Sequence, residues 1–494
     1  MKGLLITYLI AMVLSGSSAV IAAPWTSIDD VRLRQSLQLL VDSGYISLNV
    51  TAWPVNWASI QRELSRISRN HIFSPSARVA YDYISYELSR DRSRAVKVEA
   101  GARASSEAPL LKKYGDAYGE NNELWGKLDA IGNSWALGIK ASMVEGDYSD
   151  SPIGRLDGSY IAGLWGNWII GIGAVDRWWG AGWQSSLVLS TNARPVPGIY
   201  IKRNNDSTPD SNWLKWVGPW SLDLFLGQLE RDRYISDAKF LGARFSFRPV
   251  QPLEVGITRV AQWGGEGRPE TLSSLYNLMI GKDNRDDGGV TEENEPGNQL
   301  GGIDVRYSFR VNGLPSAGYI QAIGEDEAGG LPSKTAGLVG LESNFRLNSS
   351  SINTYVEYVD TRAGRLFTGK DYVNTFYSHS IYQNGYRYKG RTLGASIDND
   401  SKMVTLGVSL IQQDDSLLTF STSYIELNDD ASSSGALPHV SFNQKKLMAY
   451  RLEYQDEWNA LRYRVGMNVY SEEMANDYTN SGHFALSAEG TYRF

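Results

Sequence analysis

Residues 483–494 read HFALSAEGTYRF, and their alternation decides the fold. Phe484, Leu486, Ala488, Gly490, Tyr492 and Phe494 fall on one side; His483, Ser487, Glu489, Thr491 and Arg493 fall on the other. Side chains of a strand switch faces at every residue, so this segment has one apolar face and one wet, charged face. The same division recurs upstream. Leu461, Tyr463, Val465, Met467 and Val469 oppose Arg462, Arg464 and Asn468, while Met448, Tyr450, Leu452 and Tyr454 oppose Arg451, Glu453 and Gln455. Val404, Leu406, Val408, Leu410 and then Leu418, Phe420 and Tyr424 continue the pattern, backed by Thr405, Ser409, Thr419, Ser421 and Ser423. A soluble sandwich would bury the apolar faces against a second sheet, but the chain supplies nothing to cover so much of it, which leaves lipid. Segments of about ten residues, apolar-out and polar-in between turn residues, mark a transmembrane β-barrel.

The remaining composition agrees. Lys2, an apolar run from Leu4 to Leu14 and Val20-Ile21-Ala22-Ala23 fit a secretory signal peptide cut near Ala22 or Ala23. No other stretch approaches the roughly 20 apolar residues of a membrane helix. With 28 tyrosines and 15 tryptophans the chain can furnish the aromatic girdles that barrels place at both interfaces. The absence of cysteine removes disulfide scaffolds, cysteine metal sites and thiol nucleophiles. A net charge of −7 argues against nucleic acid as a partner.

Three domains follow: a signal peptide at 1–23, a helical periplasmic segment at 24–92 and an outer-membrane barrel at 93–494. In the helical segment Ser27 is expected to cap a run through Asp29, Val31, Leu33, Leu37, Leu39 and Leu40, ended by Gly44. A second run spans Trp57 to Ile67, and Pro75 opens a third through Leu88. These helices form either a small bundle or a plug at the barrel mouth. Nineteen two-faced segments lie between residue 95 and the end of the chain. Bacterial barrels have an even number of strands, short periplasmic turns and long outer loops. Dropping the segment around Arg391 to Ile397 restores that alternation, giving an all-β transmembrane barrel of about 18 antiparallel strands. Short inner turns then fall at Gly132-Asn133, Gly166-Asn167, Pro249 to Pro252, Leu347 to Ser350, Gln412 to Asp415 and Asp456 to Asn459, with outer loops at 264–298, 361–401 and 427–444. Residues 204–218 are long for an inner connection and are expected to hold a short helix around Trp213 to Trp216.

The densest chemistry is in one outer connection: Asp176-Arg177-Trp178-Trp179-Gly180-Ala181-Gly182-Trp183, followed by Ser190-Thr191-Asn192-Ala193-Arg194-Pro195-Val196-Pro197. Here the chain resembles the Wzi family of capsule-assembly outer-membrane proteins, in which a D-R-W-W-G stretch shortly precedes N-A-R-P. Gly44-Tyr45-Ile46, Thr51-Ala52-Trp53-Pro54, Gly385-Tyr386-Arg387-Tyr388-Lys389-Gly390-Arg391, Leu393-Gly394 and the terminal Phe494 agree in the same order. Ala181 departs from the proline of many relatives, which bears on the rigidity of the loop. The resemblance implies an outer-membrane lectin, not an enzyme, that helps hold capsular or secreted exopolysaccharide at the cell surface. Its partners would be that polymer and outer-membrane lipid, with polysaccharide export machinery as a further candidate. Sugars carry apolar C–H faces ringed by hydroxyls, so Trp178, Trp179 and Trp183 are candidate platforms. Asp176, Arg177, Asn192 and Arg194 are candidate hydrogen-bonding groups, an arginine pairing bidentately with an acidic sugar. The competing reading makes the same cluster an inward-folded loop that constricts the pore.

No cofactor or metal site is expected. His71, His379, His439 and His483 show no metal-ligand spacing. The acidic loop from Gly264 to Asn298 lacks the spaced ligands of a dedicated calcium site. Two further function classes stay open, an oligosaccharide channel and a barrel enzyme that trims the polymer. Arg244, Arg248, Arg451, Arg462, Arg464 and Arg493, with Glu357, Glu453 and Glu489, face the interior and must pair there, because an unpaired charge away from water is costly. A narrow or plugged lumen is therefore expected. Arg462→Glu should weaken folding more than polymer attachment; well-folded protein with lost attachment would contradict this.

Overall fold

The computed structural model describes residues 24–494 except 108, 110, 117–121, 146–153, 281–290, 292–294, 296, 326, 329–330, 333, 366–368, 371, 430–440, 442, 473, 477–478 and 482. The expected signal peptide, His439 and the loop acids Asp283, Asp286, Asp287, Glu292 and Glu293 lie outside the described residues.

Eighteen antiparallel strands close into a barrel. They are β1 (Val96–Ser105), β2 (Asn122–Ile131), β3 (Trp135–Glu145), β4 (Tyr160–Trp165), β5 (Trp168–Gly173), β6 (Gly198–Arg203), β7 (Trp220–Gln228), β8 (Lys239–Val250) and β9 (Leu253–Trp263). The second half comprises β10 (Gly297–Val311), β11 (Leu314–Gly324), β12 (Thr335–Leu347), β13 (Ser350–Asp360), β14 (Lys402–Ile411), β15 (Leu417–Leu427), β16 (Lys445–Trp458), β17 (Leu461–Tyr470) and β18 (Phe484–Arg493). A short piece, Gly154–Arg155, extends β4 along β3. Closure comes from β1 against β18, with Glu99 opposite Arg493. The faces are those the alternation requires: Val404, Leu406, Phe420 and Tyr424 are exposed on the outside, while Thr405, Ser421 and Ser423 are buried inside. The segment around Arg391 is not a wall strand; Arg387–Tyr388 and Arg391–Thr392 pair as a hairpin of their own.

The N-terminal part is a plug. Helix α1 (Val31–Asp42) has every residue buried, α3 (Pro75–Arg92) packs against it, α2 (Trp57–Ser65) packs against α3, and all three share one apolar core. The cap of α1 is Asp30, not Ser27: the Asp30 carboxylate accepts from the Leu33 N–H at 2.9 Å. Asp29 and Asp30 therefore precede the helix. Beyond α1, Gly44 takes φ of +77°, the left-handed geometry of a helix stop. The structure adds a helix that periodicity did not indicate, α4 (Leu272–Ile280), in the outer loop after β9. At 204–218 it shows a 3₁₀ turn at Lys215–Val217.

Wall charges hold the plug. Arg306 of β10 donates to both Asp42 carboxylate oxygens at 2.6 and 2.8 Å and also to Glu342 of β12. Glu254 of β9 accepts from the Val50 N–H at 2.9 Å, the Thr51 N–H at 2.9 Å and the Thr51 hydroxyl at 2.7 Å, and pairs with Arg248 at 2.7 Å. Arg244 bridges Asp304 and the Thr51 hydroxyl. Glu254→Ala leaves Arg248 and two N–H groups buried without their acceptor, a loss of about 3–5 kcal/mol. We expect a lower urea midpoint for tryptophan fluorescence in detergent micelles; an unchanged midpoint would mean this clamp carries no stability.

Candidate functional site

The segment 174–197 joins β5 to β6 at the end of the barrel with the long loops, yet it turns into the lumen. Its aromatic side chains and unpaired backbone N–H groups find partners there. Glu357 of β13 accepts from the Trp183 N–H and Ser185 N–H, both at 2.7 Å, and from the Tyr319 hydroxyl at 3.0 Å. The Trp183 indole N–H donates to Glu342. Gln321 of β11 accepts from the Leu187 N–H at 2.8 Å and donates to the Trp179 carbonyl at 2.9 Å. From below, Thr51 accepts the Gly180 N–H at 2.8 Å, and Ala52–Trp53 pairs as a ribbon with Trp178–Trp179.

Arg34 of α1, fully buried, ties the plug to this loop. Its guanidinium donates to the Ala181 and Gly182 carbonyls at 2.7 and 2.9 Å and lies 4.1 Å from the Tyr114 ring centre and 4.3 Å from that of Trp183. Donation from one guanidinium nitrogen plus two aromatic faces stabilises a cation that water cannot reach. The grip also fixes Ala181 in place without a proline ring. Above the loop, the long segment 361–401 folds down onto it. The Tyr377 hydroxyl donates to the Leu187 carbonyl at 2.6 Å, that of Tyr386 to Val188 at 2.9 Å, and the Ser190 hydroxyl to Gly394 at 2.6 Å. At Gly394 a Cβ would sit 2.3 Å from the Tyr377 hydroxyl and 2.4 Å from the Leu187 carbonyl, so only glycine fits.

The seven sequence-derived candidates are thus all placed in one inward segment but divide in role. Trp178, Trp179 and Trp183 are at most 4 % exposed, so none offers a free indole face as a sugar platform. Trp178 and Trp183 join the core of the plug helices, whereas Trp179 joins the cluster below the outer loops and meets Phe225 at 5.7 Å. Arg177 pairs with Asp223 at 3.3 Å and stacks over Phe225 at 4.4 Å. The Asn192 amide donates to the Thr392 carbonyl and hydroxyl at 2.9 and 2.8 Å. Arg194 forms a two-pronged pair with Asp157 at 2.7 and 3.1 Å and keeps part of its surface. Asp176 borders a lumenal cavity of about 190 Å³ with Lys140, Asp129, Glu123 and Thr191. Sequence reasoning missed Arg34, Tyr114, Tyr377 and Glu357 as partners of this loop. The run from Gly385 to Arg391 carried the one visible signal, since its resemblance to the same family pointed to a shared neighbourhood.

Comparison with known proteins decides the relationship. A family model described as capsule assembly protein Wzi matches residues 91–479. The chain belongs to that family. A 55.8 kDa protein in the cps region of Klebsiella pneumoniae is 32 % identical over 421 residues, 83 % of this chain and 79 % of that one. The solved structure of Wzi from Escherichia coli superposes with a TM-score of 0.81 at 29 % identity, covering 94 % of this chain and 99 % of the other. That protein is described as an outer-membrane protein involved in group 1 capsule assembly and as a carbohydrate-binding β-barrel. This Wzi-family chain is accordingly an outer-membrane barrel. Among the described residues no cluster of His, Asp or Glu could hold a metal ion.

Burial pushes the Asp176 carboxyl up to about 7; Asp157 and Asp29 add to the rise, and Lys140 and Arg177 oppose it. A carboxyl raised in the folded state favours folding while it is protonated, so its contribution is full below about pH 4 and lost as pH rises through about 7. Asp176→Asn should remove this loss, making the variant more stable than the parent at pH 8 by roughly 1–2 kcal/mol after allowing for solvent screening, with little difference at pH 4. Equal urea midpoints at pH 8 would refute it.

Proposed function

We propose that this protein is a non-catalytic outer-membrane lectin that binds capsular or exopolysaccharide and helps attach or assemble it at the cell surface. The observation that carries the reading is the likeness, over nearly the whole chain, to a barrel described as carbohydrate-binding and involved in capsule assembly. The filled lumen supports binding at the surface over conduction, because the column of α1, the 174–197 segment and the 361–401 segment occupies the path a polymer would take.

In this reading the buried tryptophans act as the keel of the loops, and Arg194 is the one of the seven candidates best placed to reach a sugar. Around the same rim lie Arg231, largely exposed, and Tyr234, 62 % exposed, whose backbone N–H donates to Asn384 at 2.6 Å. An exposed tyrosine ring supplies a C–H contact face, and the exposed Arg231 guanidinium, 3.5 Å from Asp237, supplies directed donors. The helices at the short-turn end are the surface on which export machinery would act.

The test compares Arg194→Ala/Arg231→Ala/Tyr234→Ala with the parent in cells that make the polymer, together with pull-down of the purified barrel by the organism's own polysaccharide. We expect polymer to appear in the medium at unchanged total amount, with binding lost in vitro and the barrel still folded. Retention equal to that of the parent would reject these contacts. Shortened or lengthened polymer chains with intact attachment would favour trimming, and large single-channel conductance a channel.

A further inference from the structure

We propose that the connection between β6 and β7 is a phospholipid-binding anchor that lies on the inner leaflet of the outer membrane. At the short-turn end every other connection named above is a tight turn, yet this one runs from 204 to 219. Its second half is a hydrogen-bonded turn: the Leu214 and Lys215 N–H groups donate to the Ser211 carbonyl, both at 3.0 Å, and the Val217 N–H donates to that of Leu214 at 3.0 Å. This turn turns its apolar side chains outward. Trp213 is 89 % exposed, Trp216 63 % and Leu214 49 %, and Lys215 stands exposed between them.

Two observations identify what covers them. First, the Trp216 ring meets Phe247 edge-on at 6.2 Å, and Phe247 stacks on Phe245 at 5.3 Å, which meets Trp220 at 5.8 Å, which meets Trp168 at 6.3 Å. Phe245 and Phe247 alternate with the buried Arg244, Ser246 and Arg248, Trp220 lies opposite Phe247 in register, and Trp168 shares the face of the exposed Ile170, so this aromatic ladder stands on the lipid-facing wall and Trp216 continues it. Second, the turn is fixed to the barrel rim. Gly218 takes φ of +68°, and a Cβ there would sit 1.8 Å from the Arg248 carbonyl, so the chain must pass this close to the β8–β9 turn. Indole rings favour the water–hydrocarbon boundary, and a lysine beside them adds attraction to anionic headgroups. The occupant is therefore the phospholipid surface itself.

The first half of the same connection faces the plug. Asn56 of the plug donates to the Arg203 and Asn204 carbonyls at 2.6 and 3.0 Å, Arg62 to Asn205, and the Asp206 N–H to the Ser59 hydroxyl at 3.0 Å. One connection thus fastens α2 at one end and grips the leaflet at the other.

The chain has no cysteine, so a nitroxide on Leu214→Cys reports one position. In vesicles of phosphatidylethanolamine and phosphatidylglycerol, its collisions with oxygen and with a water-soluble nickel chelate measure its depth. Labels on Ile257→Cys, on the lipid-facing wall, and on Tyr234→Cys, in an outer loop, set the two limits. We expect position 214 to be shielded from nickel and open to oxygen, between those limits. Trp213→Ala/Trp216→Ala should then make it as nickel-accessible as position 234 while the label at 257 stays unchanged, and Lys215→Glu should weaken shielding more in phosphatidylglycerol than in phosphatidylcholine. A label at 214 that is water-accessible in the parent overturns the proposal, as does one that stays shielded without the two indoles. Shielding from both reagents in native outer membranes but in no lipid vesicle would assign the surface to a protein instead.

Discussion

The organising constraint is that a barrel wrapped in hydrocarbon turns its charges toward a lumen that the N-terminal segment and the inward-folded loops occupy. Arg244, Arg248 and Arg306 are each 1 % exposed. A guanidinium in such a place is tolerated only with its acceptors in place. The acceptors come partly from neighbouring strands (Asp304, Glu254, Glu342) and partly from the N-terminal segment, through Asp42 and Thr51. Wall and plug are therefore completed by one another. Replacing such pairs with apolar groups would cost little in principle, but the ions fix which face of α1 meets which strand, and that register sets everything above it.

From α1 the order passes outward step by step. Arg34 sets the carbonyls of the 174–197 segment, Glu357 and Gln321 set its N–H groups, and Tyr377 and Tyr386 then seat the 361–401 segment on top. Outer loops of this length usually remain mobile. Here they are held by a column that crosses the barrel, so less conformational entropy is lost when a ligand orders their tips.

The wall was legible in sequence because one face of every strand sees the same solvent, hydrocarbon, and a period of two therefore survives from Val96 to Arg493. Even the rejected nineteenth segment was readable, since parity excluded it and Arg391–Thr392 proves to be half of an interior hairpin. What lay inside was less legible. Alternation assigns a side chain to a face and says nothing of depth, so a tryptophan buried under a loop and one open to a sugar have the same local pattern. Trp178, Trp179 and Trp183 could be located on the right segment but not told from platforms. The partners that bury them, Arg34 at one end of the chain and Glu357 or Tyr377 at the other, come together only through closure of the barrel. The helix cap failed for a local reason: Ser27 and Asp30 are both good caps, and the choice of Asp30 follows from tertiary contacts, as its carboxylate also accepts from the Tyr83 hydroxyl at 3.0 Å.

Closure also bears on how polymer could be handled. Among the described residues, two spaces beside the plug are about 190 and 140 Å³, lined by Glu99, Lys127, Asp129 and Glu489 in both cases. They share part of their lining and lie between the plug and the wall, with room for water but bounded by the N-terminal segment. Opening a path would mean withdrawing α1 from Arg306 and the 174–197 segment from Glu357, and each broken buried pair costs about 3–5 kcal/mol unless water replaces it at once. Arg34 ties the loop to the helix, so withdrawing one breaks contacts of the other as well. A gate of that kind would need a strong external drive, whereas a fixed outer surface needs none. The interior chemistry thus favours a barrel whose work is done on its outer loops, with the lumen serving as their foundation.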